Sequence, residues 1–328
     1  MDQHRIITYF ESLEKDDVPE SQRSDLENIQ TTLKLWEDLY QNCPTHADLQ
    51  KQLNQSLVRN EKVILIVENI DESTHHLLQS HTANFETLLL CHDISHQKQM
   101  GAEILGRVNH FMSTSQILSS KRELITTIKK ISTRDIFGAE KYLSYGTPLH
   151  FFVLTRSEDR GWFVDRFIDY VAGLDGVIPS GSQELARMAG EVLDELLMNA
   201  IWDANPARST ISRTDPVLLK HSEAIKVEWG VDGDILAVGV RDPFGTIEKN
   251  IISRYQNDIF ELKRNTQLSV KSGNAGAGIG LHMVIRRVSG LVVNLAPNFA
   301  TEVIALFDLG RPPHLLAKSA KALHFFSL

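Results

Sequence analysis

ELARMAGEVLDELLMNAIWDAN (184–205) is the stretch on which the reading of this chain turns. Leu185, Ala189, Val192, Leu193, Leu196 and Ala200 recur at helical spacing, so the stretch reads as an amphipathic helix, with Ser182 before it as a suitable N-cap. At 3.6 residues per turn, Glu195, Asn199 and Asp203 form an i, i+4, i+8 row along the border of that apolar stripe. An amide on the edge of a core is costly unless something satisfies it. Two readings meet that cost. Either the row faces solvent, or its carboxylate and amide oxygens hold a hard cation such as Mg²⁺, with waters and phosphate oxygens completing the shell.

Two later stretches bear on the choice. In ILAVGVRDPFGTI (235–247) an alternating strand ends at Asp242, and Pro243 to Gly245 make a turn. A carboxylate at such a strand end can accept a hydrogen bond from an exocyclic amine such as that of adenine. In KSGNAGAGIGLHMVIRRVSG (271–290), Gly273, Gly276, Gly278 and Gly280 open into an apolar helix. Glycines let a backbone approach a polyphosphate, and the positive end of a helix favours its charge. The run is neither a GxxxxGK[ST] loop nor a dinucleotide fingerprint that follows a strand. LVVNLA (291–296) and ATEVIALFDL (300–309) read as closing antiparallel strands, with Thr301 placed either to reach a ligand or to cap a turn. Upstream, His150 to Leu154 reads as a strand and Asp159 to Ala172 as an amphipathic helix, followed by the loop LDGVIPSGS (174–182).

Taken in order, these elements resemble the GHKL superfamily of ATP-binding domains over roughly residues 147–310. The E-x-x-x-N-A box of that family is matched by Glu195-Leu-Leu-Met-Asn199-Ala200. The resemblance implies an α/β fold, a two-layer sandwich with a mixed sheet, and ATP and Mg as ligands. It implies that Asn199 holds Mg²⁺ against the phosphates, that Glu195 orients or deprotonates the attacking group, and that Asp203 lines the same site. It further implies that Asp242 meets adenine with Thr301 beside it. Gly276-Ala-Gly278-Ile-Gly280-Leu281 matches the phosphate-facing end of a lid over about 246–278. The chain departs from the family's D-x-G-x-G box, having Asp242-Pro-Phe-Gly245-Thr, and Ala300 stands where a glycine usually precedes the threonine.

The layout of strand, helix, loop and box-bearing helix is most similar to the anti-sigma-factor serine kinases. That implies a signal-transduction protein that transfers phosphoryl groups from ATP to a partner protein, or hydrolyses ATP weakly. Two alternatives stay open. One is a non-catalytic switch in which nucleotide alters partner binding. The other is a histidine kinase using His92 in HDISH (92–96).

The first half divides differently. Residues 1–58 are polar and helix-favouring, and read as an appended helical segment that could contact another protein. KVILIVENI (62–70), ETLLLCHDI (86–94) and RVNHFMSTS (107–115) read as strands alternating with helices, over 59–118. Their order resembles a response-regulator receiver. Read as the first strand, KVILIVENI is followed by Glu68 and Asp71, while the third, NHFMSTS, brings no carboxylate to accept a phosphoryl group, so the resemblance implies a pseudo-receiver. Residues 119–146 read as a helical linker and 313–328 as a C-terminal tail.

Composition limits the partners. The 328 residues carry a formal charge of −8, 42% hydrophobic and 23% charged residues, the profile of a globular chain with no basic stripe for nucleic acid. Cys43 and Cys91 are isolated and lack metal-ligand spacing, which points to a reducing cytoplasm. MDQHRIITYFESLEKDD has no basic start and no apolar core, so no secretory leader is expected, and no apolar run is long enough for a bilayer. The partners expected are ATP, a signalling protein and a second copy in a homodimer.

Overall fold

The computed structural model describes residues 4–15, 18–81, 83–91, 108–114, 117–174, 182–208, 210–247, 276–316, 319 and 321–328. The protein is α/β and has two compact units: Met1–Asp135 with Ala322–His324, and Ile136–Lys321 with Phe325–Leu328. Pairing is parallel across the first five strands and antiparallel in the second unit.

In the first unit, His4–Tyr9 (β1), Tyr40–Asn42 (β2), Lys62–Val67 (β3), Phe85–Cys91 (β4) and His110–Ser113 (β5) run in the order β2-β1-β3-β4-β5. Val63 to Val67 are buried without alternation, as a parallel strand covered on both faces must be. Helices Glu20–Leu33, His46–Val58 and Glu72–Ser80 connect the strands. Thr45 and Asp71 cap the last two by accepting the N–H groups of Asp48 and Thr74. In a doubly wound sheet of this order the crevice for a ligand lies at the carboxyl ends of β1 and β3. Here the buried Glu68, just past β3, accepts hydrogen bonds from the Ser12 hydroxyl at 2.5 Å and the Ser12 N–H at 3.3 Å.

Several sequence expectations are corrected by these elements. Residues 1–58 are not a helical appendage, because they contain β1 and β2, and the unit starts at its first described residues. KVILIV is therefore the third strand in the chain, and the carboxylate that follows the third strand is Glu68. The polar look of HRIITY hid β1: Thr8 is fully buried, and its hydroxyl donates to the Asn42 side chain at 3.0 Å. The stretch taken as a linker is also divided. Helix Ile117–Thr133 buries Leu124 and Ile128 in the first unit, while Ile136, Ala139, Tyr142 and Leu143 are core residues of the second.

The expected C-terminal tail is a strand, Ala322–Ser327 (β11), with residues 322–326 buried. In the first unit, Leu323 and His324 pair antiparallel with Phe111 and His110. His324 Nε2 lies 2.8 Å from Glu123 Oε1, and its Nδ1 lies 3.4 Å from His110 Nδ1. Loss of such a buried partner costs about 1–3 kcal/mol. His324→Leu is thus expected to lower the urea midpoint of the first unit by a corresponding amount, read by circular dichroism. An unchanged midpoint would show that the pair adds nothing to docking of the last strand.

In the second unit, His150–Leu154 (β6), Ile225–Val231 (β7), Ile235–Asp242 (β8), Gly290–Ala296 (β9) and Ala300–Asp308 (β10) pair in the order β9-β10-β8-β7-β6. Cross-strand register puts Trp229, Val238 and Ala305 on one face and Glu228, Gly239 and Ile304 on the other. The first face meets helix Asp159–Ala172, whose Phe163, Phe167 and Tyr170 rings lie 5.6, 5.9 and 6.1 Å from the Trp229 ring. Gly190 lets the next helix, Ser182–Met198, close against this one, since a Cβ there would stand 2.4 Å from Ile168 Cγ1. The second face is covered by residues 136–143: Glu228 accepts the Ala139 N–H, and Glu302 accepts the Gly138 N–H at 2.8 Å and the Asn294 amide at 2.7 Å. No helix among the described residues is long and apolar enough to cross a membrane.

Candidate functional site

Helix Ser182–Met198 buries Leu185, Ala186, Ala189, Val192, Leu193, Leu196 and Leu197, about 1.5–3 kcal/mol for each large side chain, which fixes its rotation. From Asn199 to Asp203 the backbone widens into a π turn, and the Ala204 N–H reaches back to the Asn199 carbonyl at 2.9 Å. The straight polar row expected from the sequence is therefore bent at Asn199, and such π turns often accompany functional sites. Glu195 lies one turn before the bend. Burial pushes its carboxyl above the usual range; Arg213 opposes this, the charges of Asp203 and Asp194 add to it, and Arg160 opposes it in turn.

The row has a partner that sequence reasoning missed. The Arg213 guanidinium reaches Asn199 Oδ1 at 3.4 Å and Asp203 Oδ1 at 3.3 Å, forms a close ion pair with Asp203 Oδ2, and stands 3.7 Å from Glu195 Oε1. SRTDP (212–216) offers no periodic signal, only one cation among turn-formers, so nothing in the sequence ties it to a helix ten residues earlier. Its position tests the donor set. Glu195, Asn199 and Asp203 already surround one positive group, and Glu195 Oε1 and the Asn199 amide oxygen are hard donors that suit magnesium equally well. Among the described residues no three His, Cys, Asp or Glu side chains gather as a metal cluster, so a cation here would take the rest of its shell from water and phosphate.

At the sheet end, Asp242 stands directly opposite Thr301 in the β8–β10 ladder. Burial pushes the Asp242 carboxyl up to about 6, although the Phe244 and Gly245 amides and Thr301 hold it down. The Phe244 N–H donates to Oδ1 at 2.9 Å. Thr301 Oγ1 is close enough to act on Asp242, yet it is buried and makes no well-directed hydrogen bond among the described residues. The turn after Asp242 is docked onto the end of the π turn: Thr246 donates its hydroxyl to the Ala204 carbonyl at 2.7 Å, and Arg208 lies over the Phe244 ring at 5.8 Å. Gly245 has φ +63°, and a Cβ there would stand 2.2 Å from the Ala296 carbonyl oxygen. It is thus required by the β9–β10 hairpin, whose Asn298 N–H donates to its carbonyl at 3.0 Å.

The glycine run differs from its expected form. Helix Gly276–Arg287 already includes Gly276, Gly278, Gly280 and Leu281, so the glycines are its first turns and not a loop before it. Gly280 touches the predicted site directly. A Cβ at this position would fall 1.5 Å from Glu195 Oε1, so the carboxylate lies against the bare backbone. A cavity of about 320 Å³ opens beside this contact, lined by Val192, Asp194, Glu195, Met283 and Val284 among others. The structure therefore joins Glu195 to Asn199, Asp203 and Gly280, and joins Asp242 to Thr301 and Gly245. Residues 248–275 of the expected lid, Gly273 among them, and His92 lie outside the described residues.

No family model matches the chain, and no curated protein matches it.

Proposed function

We propose that the second unit binds Mg·ATP as GHKL domains do, in a two-layer sandwich, and passes the γ-phosphoryl group to a serine or threonine hydroxyl of a partner signalling protein. The observation that carries this reading is the contact of the Glu195 carboxylate with the Gly280 backbone, inside the helix whose first turns are the glycine run. Asp242 would accept from the adenine amine, with the Thr301 hydroxyl beside it as a donor. The N–H groups of the first helical turn, at Gly276 and Gly278, have no carbonyl of their own helix to bond and suit phosphate oxygens, and Leu281 follows in the same helix. Asn199, with the Asp203 and Glu195 carboxylates beside it, would hold magnesium. Magnesium, when bound, neutralises phosphate charge. Glu195, its carboxyl raised by burial, takes the proton of the attacking hydroxyl, whose oxygen bonds to the γ-phosphorus as ADP leaves.

The first unit has the strand order of a receiver, with the glutamate Glu68 past β3. We read it as a pseudo-receiver that docks the partner. Cys43 and Cys91 are both buried and outside any disulfide, which suits a reducing cytoplasm.

The second reading, a nucleotide-dependent switch without turnover, is favoured by Gly245: the backbone of the β9–β10 hairpin packs against this glycine, so the single glycine left of the box serves the hairpin. Labelled ATP separates the two, because transfer to a partner or slow hydrolysis supports the kinase, and tight binding without turnover the switch. Acid-labile label lost in His92→Ala would instead support the histidine kinase.

Calorimetry with ATP and Mg²⁺ tests the site. Asn199→Ala is expected to weaken binding by about tenfold or more, through loss of a charge-assisted ligand, with the melting temperature kept. Unchanged affinity would reject the assignment.

Acid gives an independent check. Ionised Asp242 is the better acceptor for an amine, so affinity should fall about fourfold between pH 7.5 and 5.5 as the group takes up a proton near 6, and Asp242→Asn should flatten that profile. For the nucleotide-free fold the sign is reversed. A carboxyl raised above its ordinary 3.8 contributes stability that is complete below that value and is lost as pH rises through about 6.

A further inference from the structure

We infer that Arg213 is a tethered cation that guards the magnesium position: it holds Asn199 and Asp203 while no nucleotide is bound, and must leave before Mg²⁺ can be ligated there. The inference rests on the nucleotide reading above, and it concerns how that site is regulated. Its basis is that one guanidinium meets all three side chains of the polar row, at 3.3 Å from Asp203 Oδ1, 3.4 Å from Asn199 Oδ1 and 3.7 Å from Glu195 Oε1. A guanidinium and a divalent cation against the same carboxylate repel each other strongly at such distances, so the two states exclude one another.

The surroundings make Arg213 the arginine that would move. The neighbouring acids on the same helix have their own partners: Asp194 pairs with Arg160, and Glu191 pairs with Arg287 at 2.6 Å. Asp203 and Glu195 are left to Arg213, with Arg160 acting on Glu195 only as a lesser influence. Arg213 also sits on a tip that can swing. Ile211, Ser212, Thr214, Asp215 and Pro216 are all exposed, and the tip is held to itself by a 2.8 Å contact of the Ser212 and Thr214 hydroxyls. Anchorage begins just beyond it, where the Val217 N–H donates to Ser157 Oγ at 2.7 Å and the Leu219 N–H to the Thr155 carbonyl at 2.8 Å. On the other side the Ile211 N–H donates to the carbonyl of the buried Arg208 at 2.9 Å, so displacing the guanidinium releases only residues 212–216 from the helix end and leaves the sheet undisturbed, which couples occupancy of the site to a change in exposed surface.

The test measures Mg²⁺ with and without nucleotide on the full chain, comparing wild type with Arg213→Ala. In the variant, Mg²⁺ alone is expected to raise the melting temperature, where wild type shows no shift, because two carboxylates and an amide oxygen are left without their cation. The Mg²⁺ concentration that half-saturates ATP binding is expected to fall about tenfold. An unchanged Mg²⁺ response overturns the inference and leaves the ATP site standing. So does weaker ATP binding at saturating Mg²⁺, which would make Arg213 a phosphate ligand. If wild type binds no nucleotide at all, the nucleotide reading fails, and the response of the variant to Mg²⁺ alone still decides whether Arg213 guards a cation position. Arg213→Gln keeps hydrogen bonds to the row without the charge, and should show the same direction if the alanine variant does not fold.

Discussion

Gly245→Ala is expected to lower the stability of the second unit by about 3 kcal/mol, a large share of the roughly 5–15 kcal/mol that ordinary domains possess. Two costs add here. A side chain at φ +63° is strained by about 1–3 kcal/mol, and a Cβ 2.2 Å from the Ala296 oxygen and 2.7 Å from the Phe299 nitrogen collides with backbone that cannot rotate away. Relief would require the β9–β10 turn to open, breaking the Asn298 to Gly245 hydrogen bond and loosening the ladder that sets Thr301 opposite Asp242. Gly233→Ala is the control for strain alone, since φ is +92° there but nothing lies within 4 Å. Gly161→Ala controls for the opposite sign: it sits in helix Asp159–Ala172 with open space around it, and should gain about 0.5–1 kcal/mol. Urea midpoints would rank the three. A Gly245→Ala midpoint equal to that of Gly233→Ala would show that the turn is not seated on the hairpin.

The contrast between glycines explains what the sequence could and could not reveal. Gly245 and Gly280 are both visible as punctuation, but only the space around each tells a glycine pressed on hairpin backbone from one that admits the Glu195 carboxylate. The element order of the second unit is legible because each piece carries its own signal: the 3.6-residue stripe of 184–198, and the nearly unbroken apolar runs of 235–240 and 303–307, which are almost wholly buried. The first unit was less so. β1 carries buried Thr8 among three apolar side chains, and β2 is three residues long, so neither has a pattern that local reasoning can weigh. β11 reads as a tail in the sequence because six residues bounded by Lys321 look unremarkable until Phe325 is seen against Val293 and Leu295. Arg213 belongs to a third kind. Its meaning depends on a fold-back from the turns at 206–215 onto the helix end, and no one-dimensional spacing encodes that approach.

Gly280→Ala separates position from fold at the proposed site. The atom it would displace is the end of a flexible side chain, not backbone, so the helix can keep its place while the Glu195 carboxylate swings aside. Replacing glycine by alanine in a helix gains up to about 1 kcal/mol in propensity, which offsets the cost of moving that side chain. The melting temperature is therefore expected to hold, and nucleotide affinity to stay within a few-fold, because the contacts assigned to adenine and phosphate lie elsewhere. Phosphoryl transfer or hydrolysis, measured with labelled ATP in single turnover, is expected to fall by about 10²–10⁴ if Glu195 takes the proton of the attacking hydroxyl. Glu195→Gln should reach the same floor without any displacement, and the double variant should fall no further, since both changes remove one function. Full turnover in Gly280→Ala would detach Glu195 from the chemistry. Equal binding by all four proteins with no turnover in wild type would instead select the switch, in which the close approach of Glu195 to Gly280 only ties the second turn of one helix to the last turn of the other.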